Sequence, residues 1–469
     1  RGPTLMTDTD PTTTSPATAS PHDLRETIEE RRATGQAARK QAPRSAQAHW
    51  DETARGHDAL DTILAQNAIR VPELLPIRHG RMVASPWNYY RGAAAVMAAD
   101  LASRPHSGLR VQLCGDAHVL NFGLWATPER NLLFDLRDFD ETLPGPFEWD
   151  VQRLAASLVV AAREDGLKAA TADEAVVTAV EAYRNQMARY ATMTELDLWY
   201  DGTYVDSLIE YFAPADRGQL LVHIEKGSKR RTHHGAFAKL ATMVDGRPRI
   251  DEAPPIRVAI DDDEQDALTD QFLAGYRMTL QEDRRHLFDR FTPVDLVRQV
   301  VGVGSVGMRV YLALLEGRSG NDPLFLQIKQ AGPSVYESHL GPSQHDNHGA
   351  RVIAGKRALQ SATDIFVGWG SFQGRDYYVR QFRDMKIILD IGLLAPILVE
   401  FAAACGETLA RAHARTGDAV AISAYLGKSS RFATALRDFA RLYADQNERD
   451  HAQLEHAIAA GTVESAPGW

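Results

Sequence analysis

The pattern of apolar and polar positions changes twice along the chain. Apolar residues recur at helical spacing over 172–200 and 262–290, which predicts long amphipathic helices. Short β-prone runs then follow one another over 295–385, and a long apolar helix is expected at 393–414. The pattern therefore predicts an α+β fold, in which an antiparallel sheet of about five strands lies between two helical regions.

Shorter elements can be predicted from local runs of the same kind. Within the β-rich region we expect strands at 299–303, 308–315, 324–328 and 377–382, interrupted by a helix near 350–362. Earlier in the chain we expect an irregular stretch at 72–90, a helix at 92–102, strands at 109–114 and 131–134, and a helix at 148–162.

Composition narrows the function classes. The net charge of -10 argues against nucleic acid as a partner, because binding to phosphate backbones normally needs a basic surface. No apolar run approaches the roughly 18 residues of a membrane span, so we expect no membrane partner. Cys114 and Cys405 are the two cysteines and form no metal-binding motif, which suits a cytoplasmic protein. Residues 1–21 are polar and rich in proline, and are expected to be a disordered tail.

The first group of candidate chemical residues lies in two acidic segments. The sequence 115–121 is GDAHVLN, and FDLRDFDE follows at 134–141. Phosphoryl transfer needs a carboxylate to orient the attacking hydroxyl and oxygen ligands for the magnesium that bridges the phosphates. Asp116 and Asn121, with the aspartates of the second segment, could supply both. The alternative for any single residue is a turn or a helix cap.

The segment CGDAHVLN at 114–121 resembles the catalytic loop of aminoglycoside phosphotransferases and related small-molecule kinases. The resemblance implies that Asp116 is the catalytic base and that Asn121 binds a metal. It also implies a metal-binding aspartate in the next motif, for which Asp138 is the first choice and Asp140 and Asp135 are the alternatives.

Three further residues of this region have expected roles. His118 is expected to position the catalytic loop rather than to act as a base. Cys114 occupies the place where the resembling family has a histidine that supports the loop. Asp150 is expected to tie the helix at 148–162 back to the catalytic loop.

A glycine-rich segment, VGVGSVG, covers 301–307 and is followed by a lysine on a predicted strand. Glycines let backbone N–H groups approach phosphate oxygens, and Lys329 can neutralise the phosphates. A plain β-turn is the alternative, and a dinucleotide-binding fold is disfavoured because a strand rather than a helix follows. Glu337 is a doubtful partner for Lys329. The expected nucleotide-binding residues of this segment are Gly302, Gly304, Ser305 and Gly307.

The strand at 377–382 is expected to end where a kinase hinge would meet the adenine base. Backbone groups of Val379 and Gln381 would then bind the base edge, and the alternative is an ordinary buried strand. The segment LARAHA at 409–414 resembles the helix that directly precedes the catalytic loop in the phosphotransferases.

The order of these motifs is unusual. In kinases the glycine loop comes first and the catalytic loop last, whereas here the catalytic and metal-binding segments come first. One rotation of the sequence restores the kinase order, which predicts a circularly permuted, two-lobed kinase-like fold. We expect a tail at 1–21, the first part of a helical lobe at 22–294, a β-rich nucleotide-binding lobe at 295–385, and the rest of the helical lobe at 386–469.

The chain is also similar, over about 44–447, to a bacterial family known as domain of unknown function 2252. The similarity is carried by the stretches at 78–102, 114–123 and 300–311. It implies no substrate.

The resemblance to phosphotransferases implies ATP and Mg²⁺ as cofactors and transfer of the γ-phosphate to a hydroxyl of a small molecule. The arginines of 78–91 would favour an anionic acceptor, or else hold the acidic segment in place. The basic run at 226–231 is either a solvated loop or a substrate-recognition insert. A protein acceptor, transfer of AMP, a nucleotide-binding pseudokinase and a metal hydrolase stay as alternatives.

Overall fold

A computed structural model describes residues 26–467 except 231, 303, 320–321, 383–384 and 388–390. The expected tail at 1–21 and Arg231 of the basic run lie outside these residues. The described chain has a mixed α+β fold with antiparallel sheets, as the sequence pattern predicts.

Five helices precede the first strand. They are α1 (Ile28–Gln41), α2 (Ala59–Ala65), α3 (Leu75–Val83), α4 (Pro86–Gly92) and α5 (Ala94–Ala102). The expectation of an irregular stretch at 72–90 is wrong, because α3 and α4 occupy most of it. Both helices carry proline in their first turn, where the missing N–H has no helical partner to lose.

The two acidic segments lie in a pair of nested hairpins. The elements are β1 (Arg110–Leu113), β2 (Phe122–Ala126), β3 (Leu132–Leu136), β4 (Leu143–Pro146) and α6 (Phe147–Glu164). Strand β1 pairs with β4, and β2 pairs with β3, both antiparallel. The loop between β1 and β2 is therefore held beside the loop between β3 and β4.

A long, mostly helical segment follows. Its elements are α7 (Ala169–Tyr190), α8 (Glu195–Tyr200), β5 (Thr203–Tyr204), α9 (Val205–Leu208), α10 (Pro214–Arg230), α11 (His233–Leu240), β6 (Ala241–Val244), β7 (Arg247–Ile250), β8 (Arg257–Ala259), α12 (Asp262–Ala267), α13 (Leu273–Thr279) and α14 (Glu282–Phe288). In the basic run, Lys229 is exposed on α10 and pairs with Glu225 one turn away.

The main sheet is built from the next segment. Its elements are β9 (Thr292–Gln299), β10 (Val310–Glu316), β11 (Pro323–Ala331), α15 (Glu337–Leu340), α16 (His348–Leu359), β12 (Gly368–Phe372) and β13 (Arg375–Gln381). The strand order is β12-β13-β11-β10-β9-β8, and every neighbouring pair is antiparallel. The strand expected at 299–303 is wrong, because β9 ends at Gln299 and Gly302 then takes a positive φ of 63°.

Both faces of this sheet are covered by the segment that precedes it. Aromatic side chains of α13 and α14, including Tyr276 and Phe288, pack on one face. Leu240 of α11 and Ile250 of β7 pack on the other. Each such buried side chain contributes about 1.5–3 kcal/mol. The β-rich lobe therefore begins before the expected boundary at 295, because β8 is a strand of this sheet and α13 and α14 pack on it.

Four helices complete the chain. They are α17 (Ile391–Leu394), α18 (Leu398–Ala414), α19 (Ala419–Leu426) and α20 (Arg431–Ala459). Helix α18 packs along α7, and α20 packs against α6, within the largest apolar cluster of the described residues.

Contrary to the expectation from the apolar runs, Gly392–Ala414 is long and apolar enough to span a membrane. More than half of its most apolar window, 56%, is buried inside the molecule, and the core helix of a soluble protein meets the same criterion.

Candidate functional site

An open cleft lies where the two nested hairpin loops face the glycine-rich segment and β11. Among the residues predicted from the sequence, those that line the cleft are Asp116, His118, Asn121, Asp138, Asp140, Gly302, Gly304, Ser305 and Lys329. Those that do not line it are Asp135, Gly307, Val379 and Gln381.

The two hairpin loops cross at Gly115. Its φ of 90° is in the left-handed region, and a Cβ at this position would lie 2.3 Å from the backbone oxygen of Glu141. The backbone N–H groups of Cys114 and Gly115 both donate to the carboxylate of Asp150, at 2.7 and 3.0 Å. Only glycine permits this close crossing.

Asp150 also joins the loop between β1 and β2 to the C-terminal part of the chain. Nε2 of His413 on α18 lies 3.1 Å from the Asp150 carboxylate, and Nδ1 lies 2.8 Å from the hydroxyl of Tyr183. All three side chains are buried. The expected role of Asp150 is therefore confirmed, and its partner is the histidine of the segment LARAHA.

Asn121 bridges the two acidic segments. Its Nδ2 donates to the backbone oxygens of Asp116 and Asp138 at 2.8 and 3.0 Å, and its Oδ1 accepts the backbone N–H of Asp138 at 2.8 Å. An amide oxygen has two lone pairs, so Oδ1 retains one for a metal.

Asp116 is paired with a buried arginine that the sequence analysis missed. Nε of Arg153 on α6 donates to Asp116 Oδ1 at 2.9 Å, and Arg153 also donates to the backbone oxygen of Tyr90 at 2.7 Å. The Arg153 side chain is 1% exposed. The sequence did contain a signal for this pair. Arg153 precedes a largely apolar part of α6, and a cation in such a place normally needs a buried partner.

His118 is buried beside the carboxylate of Asp116, with 3.8 Å between its Nε2 and Oδ2 of Asp116. Burial lowers the pKa of His118 to about 3, against the attraction of Asp116. The ring is therefore neutral at physiological pH, and its edge contacts Trp87.

Lys329 on β11 is buried and forms an ion pair with Asp140. Burial lowers the pKa of Lys329, but Asp140, Tyr378 and Asp138 together outweigh burial and keep it above its usual value. The hydroxyl of Tyr378 also donates to Asp140, at 3.0 Å. Glu337, the doubtful partner, instead accepts from a backbone N–H and lies 3.6 Å from Arg351.

Asp138 is partly exposed in the cleft and accepts from Arg380 at 3.0 Å. Burial would raise its pKa, but Arg380, Lys386 and Lys329 hold it well below its usual range. Asp138 is thus ionised.

The described residues contain no cluster of three or more His, Cys, Asp or Glu side chains that could hold a metal on their own. Magnesium, however, is usually bound by one or two carboxylates together with substrate phosphates and water. The carboxylates of Asp138 and Asp140 and the Asn121 amide oxygen, which share one cleft, fit that requirement.

Asp135 is not part of this set of ligands. It is fully buried, forms an ion pair with Arg411 of α18, and accepts the backbone N–H groups of Leu136 and Ser361. A buried carboxylate with these partners holds the hairpin against α18, and none of its contacts is with the cleft.

The residues expected at a hinge also lie away from the cleft. Val379 is a central position of β13, where it pairs with Ile328 on one side and Gly368 on the other. The backbone N–H of Gln381 donates to Asp364 at 2.5 Å. Val379 is paired within the sheet and the N–H of Gln381 is taken up by Asp364, so neither residue is arranged to bind a base edge.

The glycine-rich segment is held by the first helical region. Arg70 donates to the backbone oxygens of Gly304 and Val306, and Arg81 donates to that of Gly302 at 2.5 Å. Gly307 accepts the N–H of Val71 at 2.7 Å instead of facing the cleft.

The arginines of 78–91 do not act as a group. Arg78 is buried and donates to Ile63, Gln66 and Asn67, so it holds helix ends rather than the acidic segment. Arg91 lines the cleft, as does Arg70. The sequence analysis missed Arg70 because its partners are more than 230 residues away in the chain.

Comparison with known proteins identifies a family for the chain. No curated protein and no solved structure matches it. A family model described as an uncharacterized protein conserved in bacteria matches residues 70–457, which is most of the sequence. The chain therefore belongs to this bacterial family, domain of unknown function 2252.

Proposed function

We propose that the chain is an ATP-dependent phosphotransferase with a circularly permuted, two-lobed kinase-like fold. The observation that carries the proposal is that three segments far apart in sequence meet in one cleft. These are the loop of Asp116 and Asn121, the loop of Asp138 and Asp140, and the strand of Lys329. A catalytic carboxylate, acidic metal ligands and a phosphate-binding lysine are the parts that phosphoryl transfer requires.

The order of the strands supports the same arrangement. A glycine-rich turn between β9 and β10, a lysine on β11, a helix at α16 and two further strands follow the order of a kinase nucleotide-binding lobe. Helix α18 leads the C-terminal part and is tied by His413 to Asp150, beside the catalytic loop. Rotating the chain so that β8 comes first gives the kinase order throughout.

Each residue has a distinct role in this proposal. Asp116 accepts a hydrogen bond from the acceptor hydroxyl and orients it, while Arg153 keeps the carboxylate in place. Lys329 exchanges its contact with Asp140 for contacts with phosphate oxygens. Asp138, with Asp140 and Asn121, would hold Mg²⁺, which neutralises charge on the phosphates.

The first test compares two substitutions that separate turnover from binding. Asp116→Asn should lower the release of ADP from Mg-ATP by about 10²–10⁴-fold with little change in ATP affinity, because it removes the group that orients the nucleophile. Lys329→Gln should weaken ATP binding itself. Water serves as the acceptor in the first assay, followed by a panel of small hydroxyl compounds, and calorimetry measures ATP affinity.

Three outcomes would contradict the proposal. Asp116→Asn with undiminished turnover would exclude the catalytic role. Release of pyrophosphate instead of ADP would identify AMP transfer. Tight ATP binding without turnover on any acceptor would identify a nucleotide-binding regulatory protein. The substitution Asp266→Asn, at an exposed position of α12, is the matched control and should change neither quantity.

A further inference from the structure

A second, smaller pocket lies on the other side of Arg380 from the cleft. It is lined by the end of β2, the C-terminal half of α16 and the end of β13. Arg380 connects the two spaces, because it lines the pocket and donates to Asp138, which lines the cleft.

The pocket is strongly cationic. Arg137, Lys356, Arg380 and Lys386 all line it, and Asp364 is the one carboxylate among its described lining residues. Two backbone N–H groups, of Phe366 and Gln381, donate to the Asp364 carboxylate. Among the described lining residues, cationic side chains therefore outnumber carboxylates by four to one, in a protein whose net charge is -10.

These cations are held inside the molecule rather than spread over its surface. Lys356 is 9% exposed, and its Nζ lies over the ring of Phe139. Burial, followed by the nearby Arg380, lowers the pKa of Lys356 to about 8. Burial, with Arg380 and Arg137, also holds the pKa of Lys386 well below its usual value. The lysines and their cationic neighbours therefore repel one another. This repulsion raises the free energy of the empty pocket, and a bound anion would relieve it.

An adenine ring does not suit such a pocket, because a neutral aromatic base gains most from apolar walls and backbone donors. Two arginines offer planar, forked donors and two lysines offer compact charges, which together match phosphate oxygens.

We infer that this pocket is a second anion site, which binds a phosphate or pyrophosphate group. The group has two possible sources. It is either the distal phosphates of a nucleotide that reaches past Asp138 with its tail in the pocket, which would exclude transfer of its γ-phosphate at Asp116, or a phosphate carried by a separate molecule. The inference does not depend on the proposed transferase activity, because anion binding is measured without turnover.

The test is calorimetric titration of the full chain with inorganic pyrophosphate. The wild-type protein should bind it, and Lys356→Gln and Lys386→Gln should each weaken binding by about tenfold, the usual effect of losing one charge-assisted contact. Lys428→Gln, at an exposed position, is the matched control and should bind like the wild type. Thermal unfolding of each variant shows that it is folded.

Two outcomes overturn the inference. The first is no pyrophosphate binding by the wild-type protein. The second is binding that Lys329→Gln abolishes while Lys356→Gln and Lys386→Gln leave it unchanged, which would assign the anion to the main cleft.

Competition with ATP then separates the two sources. If ATP displaces pyrophosphate, and Lys356→Gln also weakens ATP binding, the nucleotide tail occupies the pocket. If both ligands bind together, a separate phosphate-bearing molecule occupies it. Either result supports the site itself.

Discussion

Glu148 is a fully buried carboxyl group at the start of α6. Its Oε1 accepts the backbone N–H of Ser107 at 2.7 Å, and its Oε2 has no hydrogen-bond partner in the described part of the chain. Burial raises the pKa of Glu148 to about 7. The folded protein therefore keeps this carboxyl protonated at pH values where an unfolded chain releases the proton.

This difference predicts a pH-dependent stability. Between about pH 4.5 and 7 the unfolded state ionises at Glu148 and the folded state does not, so the free energy of unfolding should fall by up to about 3 kcal/mol as pH rises. Glu148→Gln removes this dependence, so its stability relative to the wild type should rise over the same range. Urea unfolding at pH 5, 6, 7 and 8 measures it.

The exposed substitution Glu129→Gln is the control and should run parallel to the wild type at every pH. If the free energy of unfolding of Glu148→Gln also ran parallel to that of the wild type at every pH, Glu148 would not be the source of the pH dependence.

At the residue scale, the sequence predicted those residues of the candidate site that lie within short motifs. Asp116, Asn121 and Asp138 were predicted because they lie in two short motifs that resemble those of phosphotransferases, and all three line the cleft. Asp135 was wrongly kept as an alternative, because only its ion pair with Arg411, far along the chain, shows that it faces away. Arg153 was missed, since its contact with Asp116 spans 37 residues.

At the scale of elements, the crossing of the two hairpin loops depends on Gly115. Gly108 provides a matched comparison, because both glycines have positive φ, 78° at Gly108 and 90° at Gly115. A Cβ at Gly108 would meet nothing within 4 Å, whereas at Gly115 it would overlap the backbone of Glu141. Alanine at the two positions therefore separates the cost of the backbone conformation from the cost of the overlap.

Gly108→Ala should lower the free energy of unfolding by about 1 kcal/mol, the usual cost of a left-handed alanine. Gly115→Ala should lower it by about 3 kcal/mol or more, since a backbone carbonyl cannot rotate away from the new methyl group. Urea unfolding of both variants gives the comparison. Equal losses would show that the loops separate at little cost.

Element types were predicted better than element boundaries. Three of the six strands of the sheet, β10, β11 and β13, were recognised because β-branched and aromatic residues are concentrated in them. Strand β8 was missed because it is only three residues long, Arg257–Ala259, and is defined by pairing with β9. The stretch at 72–90 was misjudged because prolines begin its helices as well as interrupt them.

At the scale of the whole molecule, the first helical region fixes the glycine-rich segment from a great distance in sequence. Arg70 contacts Gly304 and Val306 across more than 230 residues, and Arg81 contacts Gly302. Burial lowers the pKa of Arg70 to about 10, so it stays charged at neutral pH. No local pattern encodes such contacts, which is why the sequence predicted the loop but not what restrains it.

Removing Arg70 should therefore loosen the loop without unfolding the sheet. In Arg70→Ala, hydrogen exchange of the amides at 304–307 should become about tenfold faster, as expected for the loss of one or two hydrogen bonds of about 1 kcal/mol each. Exchange in β10, Val310–Glu316, should not change, because its partners are β9 and β11. Mass spectrometry of peptides from both segments measures the two rates.

Arg32→Ala, at an exposed position of α1, is the control and should leave both rates as they are. If Arg70→Ala accelerates exchange in β10 as much as in the loop, the arginine supports the whole sheet instead of the loop. If neither segment changes, the loop is held by Arg81 and by the backbone contact from Val71 to Gly307, and Arg70 is then free to interact with a ligand in the cleft.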